Sequence, residues 1–483
     1  MKRKRMKKTN PNQKSNRSIL CMTYFIVGIF VCLIVYLGYF MQFERESVIN
    51  NPYNGRISLF SDKVVRGKIL AADGTVLADT GEDEFGDEKR EYPMGQIFAH
   101  AVGYLDKGKT GLEAQVNFYL LSSHINLLQQ IGNDLAGEKN PGDSVITTLD
   151  AGLQKAAYDL LGDRKGAVVV MEPGTGKILA MVSRPAFDPN TLDEEWEALT
   201  GEDENAKSQA KLLNRASQGL YPPGSTFKII TALEYIREHP QDYENFTFDC
   251  TGYYQEGEYT IQCYHGTAHG HQNLQQAFAN SCNGAFAYLG LSLDKGRLKS
   301  LAEETLFNNE LPVSFTYSKS SYQMEETADV WETLQTSIGQ GKTQITPLHN
   351  GMIAAAIANG GTLMKPYMVD RVENVAGDTV KKYMPEAYGP LMSAKEAETL
   401  TGFMKEVVNS GTASALRTDA YTVAGKTGSA EFDKNKETHG WFVGFAPAEN
   451  PEIAVSVLVE ESGSGGRTAA PIARGIFDTY FSR

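Results

Sequence analysis

The chain has 483 residues, of which 41% are hydrophobic and 22% charged, and its formal net charge is −13. That length exceeds one average domain, and the balance excludes both wholesale disorder and a polytopic membrane protein. Residues 2–17 carry eight Lys and Arg and no acid, so the rest of the chain stands at −21, which argues against a nucleic-acid partner.

Residues 18–43 carry no charge at all. A run of that length exceeds the roughly 20 residues that cross a hydrocarbon core, and Tyr36, Tyr39, Phe40 and Phe43 gather near its outer end. It predicts one retained transmembrane helix, with residues 1–17 as a basic cytoplasmic tail and everything after Phe43 outside the cytoplasm. A cleaved signal would instead have an apolar stretch of roughly 7 to 15 residues and a small-residue cleavage site.

Residues 64–78, VVRGKILAADGTVLA, place two apolar runs around Ala72-Asp73-Gly74 and predict a β-hairpin. The acidic stretch 81–91 has few apolar residues and is expected to be a solvated loop. A helix is predicted over 150–161 and a second hairpin over 167–183, then an acidic helix over 193–213. Pro222-Pro223-Gly224 halts the chain before STFKIITALEYIREH, whose apolar spacing is helical up to Pro240. Helices are further expected over 274–291, 346–359, 393–409 and 471–481, and strands over 423–432, 440–445 and 453–460. The pattern is α+β. Cys250 and Cys263 flank a Tyr- and Gly-rich hairpin-like stretch, and a disulfide between them would suit an oxidising compartment.

Ser225 and Lys228, three apart on a helix start, share one face, so the amine can take the hydroxyl proton while the helix N-terminus favours a developing oxyanion. The spacing alone is weak, because Ser208 with Lys211 and Ser292 with Lys295 repeat it. Two later motifs strengthen it. Ser281-Cys282-Asn283 offers a hydroxyl to relay a proton and an amide to hold a substrate carbonyl. Lys426-Thr427-Gly428-Ser429, in a strand-like stretch, offers a cation and hydroxyls to a carboxylate, and Gly428 would let a ligand approach the strand. A second Lys-Thr-Gly, at Lys109, precedes the large domain and is excluded by order.

Ser225-Thr-Phe-Lys228, Ser281-Cys-Asn283 and Lys426-Thr-Gly428 together resemble the three active-site motifs of penicillin-binding proteins. RGKILAADGTVLA from Arg66, TGLE from Thr110 and SIGQGKTQITPLHNGMIAAAIANGG from Ser337 extend the likeness over nearly everything after the membrane span. No region before Gly142 is large enough for a glycosyltransferase domain, so the chain is similar to the monofunctional class B proteins. The resemblance implies a small β-rich, dimerisation-like pedestal over 44–145 and a transpeptidase domain over 146–483, a central antiparallel sheet with helices. It implies D,D-transpeptidation of peptidoglycan stem peptides through a Ser225 acyl-enzyme, inhibited by β-lactams. Lys228 would be the base, Ser281 and Lys426 the proton path to the leaving amine, and Asn283, Thr427, Gly428 and Ser429 the substrate contacts, with the N–H groups of Ser225 and Ser429 as oxyanion hole. No metal or organic cofactor is implied, and a glycan polymerase of the SEDS family is the expected membrane partner.

Other readings are weighed by single features. A D,D-carboxypeptidase or class D-like β-lactamase shares Ser-Thr-Phe-Lys and Lys-Thr-Gly, but such β-lactamases usually have an apolar residue in place of Asn283 and need no extended N-terminal region. A β-lactam sensor would need a cytoplasmic module larger than a basic tail of seventeen residues, which leaves a non-catalytic scaffold as the non-enzymatic alternative. Cys263, His265, His269 and His271 crowd nine residues and could be read as metal ligands, but HGTAHGH resembles the Gly-rich connection that family members carry there. The Cys282 thiol reads as buried packing.

Overall fold

The computed structural model describes residues 11–41, 62–201, 209–433 and 435–483. Its N-terminal unit is the helix Pro11–Tyr39, of which Ile19–Tyr39 is apolar, exposed along its length and long enough to cross a membrane. A single-pass anchor fits it.

The second unit, residues 59–483, is built on two large sheets, with four two-stranded sheets beside them among the described residues. The larger has six strands in the order Thr379–Lys382, Val369–Glu373, Ser144–Thr147, Ile69–Leu70, Val76–Glu82 and Glu88–Glu91. The expected first hairpin is there: Ile69 pairs with Ala78, and the turn closes through Gly74 at φ +87° with Asp73 accepting from the Thr75 N–H. The acidic stretch 81–91 is not a loop throughout. Val76–Glu82 and Glu88–Glu91 pair antiparallel, because the strand is anchored from beneath by Arg90, whose burial the charge pattern could not convey. Strand Ser144–Thr147 is shared, bonding Ile69–Leu70 in parallel and Val369–Glu373 antiparallel, so the boundary drawn at 145/146 runs through one continuous sheet.

Arg90 belongs to a buried ion triad. Its Nε lies 2.7 Å from Glu113 Oε1, while Arg66 Nε lies 2.7 Å from Oε2 and Arg66 also bonds Asn117 and the Glu113 carbonyl. Burial opposes the charge on Glu113, yet the two guanidiniums hold its carboxyl below the ordinary range. Truncating one member strands the others in the interior, so Glu113→Ala is expected to cost roughly 3–5 kcal/mol. A fall in Tm of the full chain, with Glu113→Gln intermediate, is the expected readout; an unchanged Tm would sink the account.

The other sheet has five antiparallel strands in the order Ala424–Ala430, His439–Ala446, Ile453–Val459, Gly166–Met171 and Ile178–Arg184. Its central three strands are buried at every position, which is why they read as continuous apolar runs rather than alternating ones. Helices Ala151–Leu161 and Gly465–Phe481 pack together against the sheet, and Pro347–Ala358 packs on Ile453–Val459, with Gly351 against Ser456. The last helix starts six residues before its expected onset, carrying Pro471 inside it. The acidic helix ends at Thr200; residues 202–208 lie outside the described residues, and Lys211 is already in a turn. The expected helix 274–291 is two, Leu274–Ala279 and Asn283–Ser292, and the break between them forms part of the site.

Candidate active site

The Pro-Pro-Gly stop works through Gly224. Its φ is +52°, its N–H donates to the Gly339 carbonyl at 2.9 Å, and a Cβ there would come within 2.8 Å of the Ser429 carbonyl oxygen. No other residue fits. The chain then makes a 3-10 turn, Gly224–Phe227, that runs into the α-helix Lys228–Glu238. Thr226 Oγ1 donates to the Pro223 carbonyl, Asn350 Nδ2 to Thr226 Oγ1 and Trp441 Nε1 to the Pro222 carbonyl, at 2.9, 3.1 and 3.0 Å. Thr226 and Phe227 are buried by this bracing, while half-buried Ser225 lines a cleft of about 680 Å³.

Ser281 breaks the expected helix because its φ is +55°, a left-handed conformation that is rare for serine. The break turns its hydroxyl towards both lysines: Lys228 Nζ is 3.4 Å and Lys426 Nζ 2.9 Å from Ser281 Oγ. Lys228 also donates to the Ser281 carbonyl at 2.7 Å and to Asn283 Oδ1 at 2.8 Å, while Asn283 Nδ2 donates to the Gln262 carbonyl. The second helix starts on a cap made by Cys282, whose sulfur accepts from the Ala285 N–H.

Lys426 to Ser429 lie on the edge strand of the five-stranded sheet, in register with Val443, Phe442, Trp441 and Gly440. An edge strand leaves alternate peptide groups free of a strand partner on its outer side, here the cleft side. Gly428 differs from expectation in what needs its bareness. A Cβ there would meet Trp441 Cβ, the Pro223 carbonyl and Thr226 Cγ2 at 3.1–3.2 Å, so its missing side chain seats the strand on the Ser225 turn. If Ser225 is the nucleophile that the resemblance implies, Gly428→Ala is expected to slow its acylation by β-lactams through a displaced Ser225, with binding of the intact drug less affected; rates in rapid-quench mass spectrometry separate the two.

Ser225, Ser281, Asn283, Thr427, Gly428 and Ser429 all line the one cleft, with the two amines buried beneath. Burial draws Lys228 down to about 8, against the opposing pull of the Cys282 and Cys263 sulfurs. Lys426 falls well below its ordinary range through burial and then the nearby Lys228 charge. Two fully buried ammoniums on one hydroxyl are costly, so a proton is easily lost from the pair. Sequence reasoning missed Thr412, whose hydroxyl bonds that of Thr427, and the bracing pair Asn350 and Trp441. No local motif marks them; they come from a post-helix turn, a buried helix and the neighbouring strand.

The Cys250–Cys263 disulfide is not formed. The sulfurs stand 3.6 Å apart and unbonded, against about 2 Å for a bond. Of the crowded histidines only His269 joins them; His271 is exposed and pairs with Asp249, and His265 meets the Tyr264 ring edge to face.

The family described as penicillin binding protein transpeptidase domain matches residues 166–478, and penicillin binding protein A dimerisation domain matches 66–145. Peptidoglycan D,D-transpeptidase PbpA of Mycolicibacterium smegmatis is 32% identical over 489 residues, covering 95% of this chain and 98% of its own length. The penicillin G acyl-enzyme of penicillin-binding protein A from Mycobacterium tuberculosis superposes with a TM-score of 0.77 at 30% identity, covering 86% of this chain and 100% of that one. A D,D-transpeptidase domain from Eggerthella lenta gives 0.76 at 32% identity, over 86% and 98%.

Proposed function

The chain belongs to the penicillin-binding protein transpeptidase family, and from that premise we propose that it is a peptidoglycan D,D-transpeptidase acting through Ser225. The observation that carries the reading is one hydroxyl, Ser281 Oγ, contacted by two buried amines in the same cleft as Ser225. Ser225 Oγ attacks the carbonyl of the penultimate D-alanine while neutral Lys228 takes its proton. The oxyanion is met by the N–H groups of Ser225 and Ser429. Collapse breaks the C–N bond, and the proton taken by Lys228 passes through Ser281, held by Lys426, to the nitrogen of the departing D-alanine, which returns Lys228 to its neutral form. An amine of a neighbouring strand then attacks the ester and frees Ser225. Asn283 holds the donor amide, and Thr427 with Lys426 faces its terminal carboxylate. A β-lactam acylates the same oxygen.

Donor pentapeptide with a labelled D-amino acid as acceptor tests this reading. Exchange of terminal D-alanine for the label is expected; release of D-alanine with no exchange would instead make the protein a carboxypeptidase. The buried amine also sets a pH profile. Only the neutral form of Lys228 accepts a proton, so acylation by benzylpenicillin should rise roughly two orders of magnitude between pH 6 and 9, with its midpoint near the value of about 8. A flat profile over that range would remove Lys228 from the role of base.

The basic tail supports an orientation with the N-terminus in the cytoplasm and the cleft outside. On the resemblance to class B proteins, residues 44–145 serve as the pedestal and 146–483 as the transpeptidase domain, and a SEDS-family glycan polymerase is the membrane partner.

A further inference from the structure

Three cysteines and a histidine from four separate elements meet beside the cleft. Cys250 ends the strand Thr247–Cys250, Cys263 follows the strand Tyr259–Gln262, His269 precedes Gly270–Asn273, and Cys282 caps the helix Asn283–Ser292. Their sulfur and nitrogen atoms all lie within 4.8 Å of one another. Cys250 Sγ to Cys263 Sγ is 3.6 Å, Cys263 Sγ to Cys282 Sγ is 3.7 Å, and Cys250 Sγ to His269 Nδ1 is 3.3 Å. Zn–S and Zn–N bonds of about 2.3 and 2.0 Å in a tetrahedron set S to S at about 3.8 Å and S to N at about 3.5 Å. These three contacts match those edges, and the other three distances lie within 4.8 Å.

We propose that Cys250, Cys263, His269 and Cys282 form a tetrahedral zinc site that fixes the Ser281-Cys282-Asn283 loop. Three thiolates and one imidazole are a borderline-soft set with no carboxylate, which suits zinc and disfavours magnesium, calcium or manganese.

Two of the sulfurs already accept backbone N–H groups. The Gly252 N–H donates to Cys250 Sγ and the Ala285 N–H to Cys282 Sγ, both at 3.4 Å, and the latter sulfur also sits at a helix N-terminus. Gly252 holds the turn that aims its N–H: its φ is +102°, and a Cβ there would come within 2.4 Å of the Gly266 carbonyl oxygen. All three cysteines are buried, but Cys263 and His269 line the cleft, which gives an ion a way in. Four ligands close the coordination shell, so the metal is structural and leaves no open position for substrate.

The position of the site gives it a task. Cys282 lies between Ser281 and Asn283, and a metal bond to it would hold the left-handed Ser281 against relaxation. That consequence for catalysis rests on the transpeptidase reading; metal binding does not.

The test is metal analysis of the full-length protein purified reduced in detergent without chelator, followed by reconstitution of the stripped protein with zinc or cobalt(II) alone. About one equivalent of zinc per chain is expected, and cobalt should give the intense ligand-field and sulfur-to-metal bands of a tetrahedral thiolate site. Cys263→Ser and His269→Ala should each cut zinc content severalfold or more, whereas His271→Ala, on the exposed partner of Asp249, should retain it. Because variants can misfold, the wild-type cobalt spectrum stands as an independent readout. Zinc below a tenth of an equivalent with no such bands, or a stoichiometric Cys250–Cys263 disulfide in non-reducing peptide mapping, overturns the proposal. Loss of penicillin acylation with zinc retained would count against the transpeptidase reading and leave the metal site standing.

Discussion

Ser225→Ala is expected to abolish the covalent adduct that benzylpenicillin leaves on the wild-type chain, lowering acylation by roughly four orders of magnitude or more. The size follows from what the oxygen does. Within the cleft it is the nucleophile of the proposed mechanism, and an alanine methyl offers no electron pair, so oriented amines and oxyanion donors have nothing to activate. The turn itself should persist, since Gly224, Thr226, Asn350 and Trp441 hold it through bonds that do not use the Ser225 hydroxyl. Tm should therefore stay close to wild type. Intact-mass spectrometry of both proteins, with the drug assayed in the same tube, separates the outcomes. An adduct on the wild type alone supports an acyl-enzyme at Ser225. Unmodified wild type with intact drug would favour the scaffold reading, and vanished drug without an adduct a hydrolase.

The helix that bears Ser225 and the central strands of the five-stranded sheet are readable because their signals are local. A Pro-Pro-Gly stop before a helical period, and buried strands written as unbroken apolar runs, need no tertiary information. The Ser281 break was not readable: AFANSCNGAFAYL has helical spacing throughout, and the left-handed serine stands where Lys228 and Lys426, from distant elements, converge on its hydroxyl. Gly428 was assigned a ligand to admit, whereas its neighbour is the Ser225 turn, a contact across 200 residues of chain. The triad of Arg66, Arg90 and Glu113 explains why the acidic stretch forms a strand, and it too is invisible from charge pattern alone. Spacing along the chain pairs Cys250 with Cys263 and leaves Cys282 to packing; the fold brings all three together with His269.

Lys228→Met should separate catalysis from stability. Met has nearly the volume and length of the lysine stem and no proton to exchange, so acylation should fall roughly 10²–10⁴-fold, the usual worth of a positioned base. Stability should respond to pH instead. Burial lowers the amine from 10.5 to about 8, so the unfolded chain holds this proton more tightly than the folded one, a penalty of about 3 kcal/mol below pH 8. As pH rises from about 8 to 10.5 that penalty disappears from the wild type. The variant never carries it, but leaves the Ser281 carbonyl and Asn283 Oδ1 without their donor, at about 1–3 kcal/mol each. Near pH 7 the two effects oppose and Tm should change little. Towards pH 10 the wild type should pull ahead, by several degrees in thermal unfolding. A Tm difference that stays constant across that range would mean Lys228 is not held with a lowered pKa, and the assignment of the base would have to move to Lys426.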